Sequence, residues 1–267
     1  MENRCEERKE AEQKEQTVEL PVLTYFGLNM LSFVIPLYPC MGLFLLYLFI
    51  MNILSVDMIW MFLFIPSLFL LLLYIYIILL IEFAAILVRR WNKKSPPQEG
   101  VFSRMFLDKE TPETRLIKYY HLRGFIIKFP VWLSGKSPFP WLLNRALRRI
   151  GHNKIGKNVI MEDVFVGLEF TDIQDNVFMY PSTAVSSHSV NSIFGWLNMF
   201  VVKINENSVI YPGNISGCGA LIDKNYVIFP NTVIHKHWKG KPNELLYQGS
   251  PGKPLTGTYK GIEEIEN

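Results

Sequence analysis

From Ile155 to Val190 the chain reads IGKNVI, MEDVFV, GLEFTD, IQDNVF, MYPSTA, VSSHSV. From Ile204 to Lys239 it reads INENSV, IYPGNI, SGCGAL, IDKNYV, IFPNTV, IHKHWK. Every block of six opens on Ile, Met or Val, except those at Gly167 and Ser216. The fifth place is mostly small or β-branched, as at Val159, Thr171, Val177, Thr183, Ser208 and Thr232. Turn formers lie between: Gly156-Lys157-Asn158, Gln174-Asp175-Asn176, Asn205-Glu206-Asn207, Pro212-Gly213, Asp223-Lys224-Asn225 and Pro230-Asn231. Gly, Asn and Asp tolerate the backbone angles of tight turns. An aliphatic residue every six places marks a hexapeptide parallel β-helix. Each hexad supplies a short strand and a turn, and three hexads close one triangular coil. Each coil buries its apolar side against the next. The twelve hexads predict about four coils. A β-sandwich competes poorly, because its strands recur at about 8–12 residues.

The repeat breaks once. Val185 and Ile204 open successive blocks but stand 19 residues apart, one more than a full coil. A segment near 191–203 is therefore expected to leave the register. It follows Ser186-Ser187-His188-Ser189 directly. A histidine placed just before an excursion is where a site can form.

A length of 267 residues allows one or two domains, and 27 basic against 24 acidic residues exclude a global polyelectrolyte role. Cys5, Cys40 and Cys218 have no paired spacing, which argues against a disulfide framework or a CxxC metal site. Residues 1–19 form a charged tail, solvated or disordered and unlike a secretory signal. Residues 20–56 carry no charge, and residues 58–88 carry only Glu82. A membrane span takes about 20 apolar residues. One span is expected near 31–54, with a kink or re-entrant start at Pro36, Pro39 and Gly42. A second runs over 58–80 and on to Val88. The short link at Asp57 makes 20–88 a transmembrane helical hairpin.

Arg89, Arg90, Lys93 and Lys94 follow the second span. Positive residues beside a span mark the cytoplasmic side, so the β-helix and both termini are expected in the cytoplasm. Residues 89–150 form a basic, aromatic linker and cap, with 14 basic and 4 acidic residues over 89–149. Trp91, Tyr119, Tyr120, Phe125, Phe129, Trp132 and Trp141 are interleaved with those charges. This composition fits membrane lipids with anionic headgroups as partners, and the membrane accounts for it without nucleic acid. A short helix over 141–149 is expected to cap the β-helix, which occupies 151–256 and is followed by a charged tail over 257–267.

The hexads, the histidine before a loop and Gly249-Ser250-Pro251-Gly252-Lys253 resemble the hexapeptide-repeat acyltransferases. Among these are the galactoside and maltose acetyltransferases. The ordered run Gly135-Lys-Ser-Pro-Phe-Pro-Trp141, Arg149-Ile-Gly151, Glu169-Phe-Thr-Asp172 and Ser187-His188 is similar to a more specific family. That family is the membrane-bound C-terminal region of ε-poly-lysine synthase-like nonribosomal peptide synthetases. This chain departs from it in having no adenylation or carrier domain, and in Ser189-Val190-Asn191 after the histidine. The resemblance implies a membrane-anchored, mainly β protein: a two-helix transmembrane hairpin, then a left-handed parallel β-helix of about four coils with a short helical cap. It implies a homotrimer, acyl-CoA or acetyl-CoA as co-substrate, and a small-molecule or lipid-linked acceptor bearing a hydroxyl or amine.

The resemblance places the general base on His188. A neutral imidazole suits that task near pH 7. Asp172, the only polar member of the sixth hexad column from Ile160 to Val233 and 16 residues before His188, is the candidate to orient it. The cofactor is expected along the later coils near Gly217, Gly219 and Lys253. No metal is expected. Two other readings stay open: a non-catalytic trimeric scaffold, and a γ-carbonic-anhydrase-like zinc protein using His188, His235 and His237. The spacing of those three histidines disfavours the zinc reading.

Overall fold

The computed structural model describes residues 22–103, 111–191, 195–241 and 243–255. The charged terminal tails lie outside the described residues. The chain divides into two compact units. One comprises residues 1–154 together with 168–170 and 189–199; the other comprises 155–167, 171–188 and 200–267.

In the first unit, helix α1 (Val22–Ile53) and helix α2 (Met58–Lys94) form the hairpin. Both are longer than the sequence reading. α1 runs unbroken through Pro36 and Pro39 and starts nine residues before Leu31, so the re-entrant start is not formed. Its first turns pack on helix α3 (Pro112–Lys136) through Tyr25 on Phe125 and Phe33 on Phe129, with ring centroids 4.4 and 3.7 Å apart. α2 carries the Arg89–Lys94 run in its last turns, where basic residues favour a helix C-terminus. One side of α2 (Ile77, Ile81, Ala84, Ala85 and Val88) is buried with Ile126 and Ile127 of α3 and with Leu142 and Ala146 of helix α4 (Trp141–Arg149). The same helix is largely exposed and apolar over 58–71, and α1 is so over most of 34–53.

Glu82 is the charge the apolar run could not place. It accepts hydrogen bonds from Arg145 at 2.9 Å and from Arg149 Nε at 3.0 Å, tying α4 to α2. Deeper, Arg123 is fully buried and donates from Nε to Glu169 at 2.6 Å and from Nη1 to the Ser95 carbonyl at 3.1 Å. Burial pushes the Glu169 carboxyl up, and the guanidinium draws it back down. This unit also holds the strand β1 (Gly100–Ser103), which pairs antiparallel with β9 (Trp196–Met199). The sheet order is β1-β9-β8, with β8 at His188–Asn191.

The second unit is the hexapeptide-repeat β-helix. Three ladders run along it. β2 (Lys154–Ile155), β5 (Thr171–Ile173), β10 (Val202–Ile204) and β13 (Leu221–Ile222) form one; β4 (Phe165–Val166), β7 (Ala184–Val185), β12 (Ile215–Ser216) and β15 (Val233–Ile234) form another. The third stacks β3 (Ile160–Met161), β6 (Phe178–Met179), β11 (Val209–Ile210) and β14 (Val227–Ile228), then β16 (Leu246–Gln248) and the antiparallel β17 (Lys253–Pro254). All neighbours but the last pair are parallel. Hexad-opening residues point inward: Ile173, Met179, Ile204, Ile210, Ile222 and Ile228 are buried.

One corner shows why the turns hold Asn. Asn158, Asn176, Asn207 and Asn225 all have φ between 53° and 61°. Each donates its amide to the next one's carbonyl oxygen at 3.1 Å. Asn enters the left-handed region more readily than most residues, and here its side chain also bonds along the stack.

Two departures correct the six-residue count. Gly167 does not take the inward place: Val166 pairs with Val185 and is buried, and the exposed Phe165 pairs with Ala184. The count recovers by Ile173, after the bulge 168–170, where Phe170 has φ of 58°. Gly167 lies under Ser187 instead, where a Cβ would meet Ser187 Oγ at 2.5 Å. The excursion is also larger and earlier than expected. Ile173 pairs with Ile204, Met179 with Ile210, and Val185 with Ser216, each a step of 31 residues rather than 18. Thirteen extra residues therefore enter this coil. The chain leaves at His188, and Phe200 donates to the Ser187 carbonyl at 3.0 Å to close the gap, so β10 is already back in the ladder.

Replacing Glu169 by Gln keeps the shape but leaves Arg123 as an uncompensated buried charge. Stability should fall by about 3–5 kcal/mol, measured by denaturation in detergent. Ser216 is buried in the inward column, and its hydroxyl has no hydrogen-bond partner among the described residues. Ser216→Ala should raise stability by about 1 kcal/mol, the cost of an unpaired buried hydroxyl.

Candidate active site

The excursion begins and ends at one corner of the β-helix, and His188 stands at its start. Ser186 and Ser187 turn the chain; Ser186 Oγ donates to the His188 carbonyl at 2.6 Å. His188 is half-buried at the start of β8. Burial pushes its imidazole below the ordinary histidine value, because a cation is poorly solvated there. The shift favours the neutral form of the ring.

Asp172 faces outward between buried Thr171 and Ile173. Its cross-strand partner in the ladder is Lys203, whose charge is opposite. Register alone does not bring Asp172 to His188; the ladder gives it an ammonium neighbour on the adjoining strand.

Gly217 and Gly219 occupy the same corner on the following coil. Gly217 donates to the Ile234 carbonyl at 2.8 Å, and a Cβ on it would lie 2.9 Å from the Lys236 nitrogen. Gly219 has φ of 75°, and a Cβ there would lie 2.4 Å from His237 Nδ1. Both are glycines because the next coil passes too close for a side chain. Phe200, which closes the excursion, rests edge-on against the His237 ring at 4.6 Å. The sequence reading missed Phe200, because nothing in the hexads shows which residue closes an excursion.

Lys253 is exposed on β17, opposite Gln248. It lines a cavity of about 430 Å³ together with Trp238, Lys239, Lys241, Glu244 and Tyr247. Trp238 is held there by donating its indole N–H to the Gly252 carbonyl at 3.1 Å. Three ammonium groups against one carboxylate, beside aromatic rings, suit an anionic ligand with an apolar or planar part. The sequence reading missed the Trp238, Lys239 and Lys241 grouping, and only the return of the chain at β17 joins Lys253 to it. Among the described residues, no three His, Cys, Asp or Glu side chains cluster as metal ligands.

No family model matches the sequence, and no curated protein matches it. Three solved structures to which the chain is similar are all acetyltransferases. A maltose O-acetyltransferase from Clostridium difficile 630 is 20% identical over 50% of this chain and 84% of its own, with a TM-score of 0.36. A hexapeptide-repeat-containing acetyltransferase from Vibrio cholerae O1 biovar eltor, complexed with acetyl coenzyme A, is 17% identical over 57% and 92%, at 0.32. A serine acetyltransferase from Brucella abortus strain S19 is 15% identical over 63% and 67%, at 0.26. Scores this low carry no functional argument, and the β-helix stands on its own ladder registers.

The lowered imidazole value has a measurable consequence. Below pH 6.5 an unfolded histidine takes a proton that His188 in the folded chain refuses. Stability contributed by the neutral ring is present above that pH and is lost as pH falls through the folded value. Proton NMR of the His188 ring should give a midpoint below 6.5, and His188→Gln should flatten this part of the stability profile.

Proposed function

We propose that this chain is a membrane-anchored acyltransferase of the hexapeptide-repeat kind, using acyl-CoA or acetyl-CoA. One observation carries the reading: a half-buried histidine stands where thirteen extra residues leave the β-helix, and the later coils of the same unit hold an anion-suited cavity. In the proposed step, His188 takes the proton from an acceptor hydroxyl or amine as that oxygen or nitrogen attacks the thioester carbonyl. The carbon–sulfur bond breaks, and the imidazolium returns the proton to the departing thiolate. Asp172 orients the imidazole by accepting from its other nitrogen; this requires the Asp172 side chain to turn from Lys203. Gly217 and Gly219 offer close backbone approach to the cofactor, and Lys253 neutralises its phosphates.

The exposed apolar lengths of α1 and α2 support anchoring. Residues 34–54 span about 30 Å at 1.5 Å per residue, the thickness of a hydrocarbon core. With Arg89–Lys94 at the end of α2, both termini and the β-helix fall on the cytoplasmic side. A homotrimer covers the outward apolar residues Ile160, Phe165 and Ile215, each at least half exposed. The run from Gly135 to His188 supports the narrower kinship with the ε-poly-lysine synthase-like membrane region, which points to an amine or lipid-linked acceptor. The same apolar strip favours the second reading, a trimeric scaffold without chemistry.

A thermal-shift series with acyl-CoAs on the detergent-solubilised protein tests donor binding, since a ligand of the native state raises its stability. His188→Ala should leave assembly and CoA binding intact and cut the chemical step about 10²–10⁴-fold. Asp172→Asn should act in the same direction, but less. Loss of the trimer in His188→Ala, with full activity per remaining trimer, would make the residue structural and favour the scaffold.

A further inference from the structure

The helical unit holds a cavity of about 580 Å³ that the proposed chemistry does not use. Lys94, the last residue of α2, and Arg115, in the first turn of α3, both line it. Both are exposed, and neither has an ion-pair partner among the described residues. Among the described residues Glu113 is the one carboxylate on the wall, and it accepts a hydrogen bond from the Ser103 backbone N–H at 2.5 Å. The rest of the wall is mixed: Ser95 and Gln98 are polar, and Val101, Phe102 and Leu116 form an apolar side, on which Val101 is 52% exposed although it is a strand valine. The volume falls in the range of small-molecule sites, roughly 300–1,000 Å³.

This pairing of chemistries is specific. Arg presents a planar fork of donors and Lys a point charge, and a phosphate ester has the oxygens to take both. An apolar wall beside the cations asks for an apolar stem on the same molecule. The cations stand where the apolar run of α2 has ended and its basic turns begin, the level at which a phospholipid carries its phosphate. β1, which supplies Val101 and Phe102, is also the edge of the sheet β1-β9-β8, whose third strand begins at His188.

We propose that this cavity binds an amphiphile whose headgroup is a phosphate monoester with net negative charge, with the phosphate between Lys94 and Arg115 and the apolar stem on Val101, Phe102 and Leu116. The proposal rests on the membrane-anchored reading of α1 and α2 and is independent of acyl transfer.

The test uses the full chain in a neutral detergent, with thermal unfolding as readout and three additives: dioctanoyl phosphatidic acid, dioctanoyl phosphatidylcholine and inorganic phosphate. Phosphatidic acid should raise the midpoint saturably, and the other two should do so far less. Lys94→Gln and Arg115→Gln should each weaken the apparent affinity about tenfold, the equivalent of one charge-assisted bond. Val101→Glu, at an exposed position, should abolish the response and serves if a cation variant fails to fold. Equal protection by phosphatidylcholine or by inorganic phosphate overturns the proposal, as does a wild-type response from the variants. Flotation with phosphatidylcholine vesicles separates the two ideas. A wild-type chain that does not float sinks the anchoring reading, and one that floats but ignores phosphatidic acid sinks only this site.

Discussion

Everything in the β-helical unit depends on the hydrogen bonds between successive coils. Its strands are two or three residues long, too short to be stable alone. Each is held only by the coils before and after it, as Ile160 donates to Val177, Phe178 to Ser208, Val209 to Tyr226 and Val227 to Leu245, at 2.8–3.1 Å. A buried backbone group without a partner is costly, so the ladder cannot skip a rung. That constraint explains the corners. Each coil must turn at the same height as its neighbour, and the stacked left-handed asparagines are the local answer. It also explains the excursion: extra residues must leave and return at one corner, and the Ser187–Phe200 hydrogen bond is where they do.

The two irregular segments of the β-helix chain, 168–170 and 189–199, both cluster with the helical unit. The first sends Glu169 to the buried Arg123, and the second sends β9 to pair with β1. Neither is a defect of the repeat. A carboxylate that leaves the ladder to meet a buried guanidinium is committed to it, because either charge alone in that setting would be severely destabilising. The chain that follows His188 is part of a sheet whose edge strand comes from just beyond α2.

Much of this was legible in the residues themselves. The aliphatic column and the turn triplets carry the parallel ladder, because a six-residue period admits few other ways to bury one face. The two charge-free stretches carry the long helices, and Trp141–Arg149 is helical as its pattern implies. His188 was legible as the residue before a break. The misreadings share a cause. Val166 replaces Gly167 inside because a one-residue slip in a bulge is repaid before the next inward residue, leaving no trace in the period. The insertion counts as one residue in sequence because thirteen extra residues and two hexads of the repeat differ by almost nothing in register.

What the sequence determined by itself are properties set by near neighbours: which residues turn, which mostly point inward, and which lengths are apolar and nearly free of charge. These follow from backbone angles and side-chain transfer, which do not depend on the rest of the fold. Only the tertiary structure decided that Glu82 meets Arg145 and Arg149, that Glu169 meets Arg123 across 46 positions, and that Lys253 joins Trp238 around a cavity. It also set Lys203, not His188, across from Asp172. Such pairings are made between distant parts of the chain, and their energies depend on burial and distance. Those quantities exist only once the coils and helices have packed.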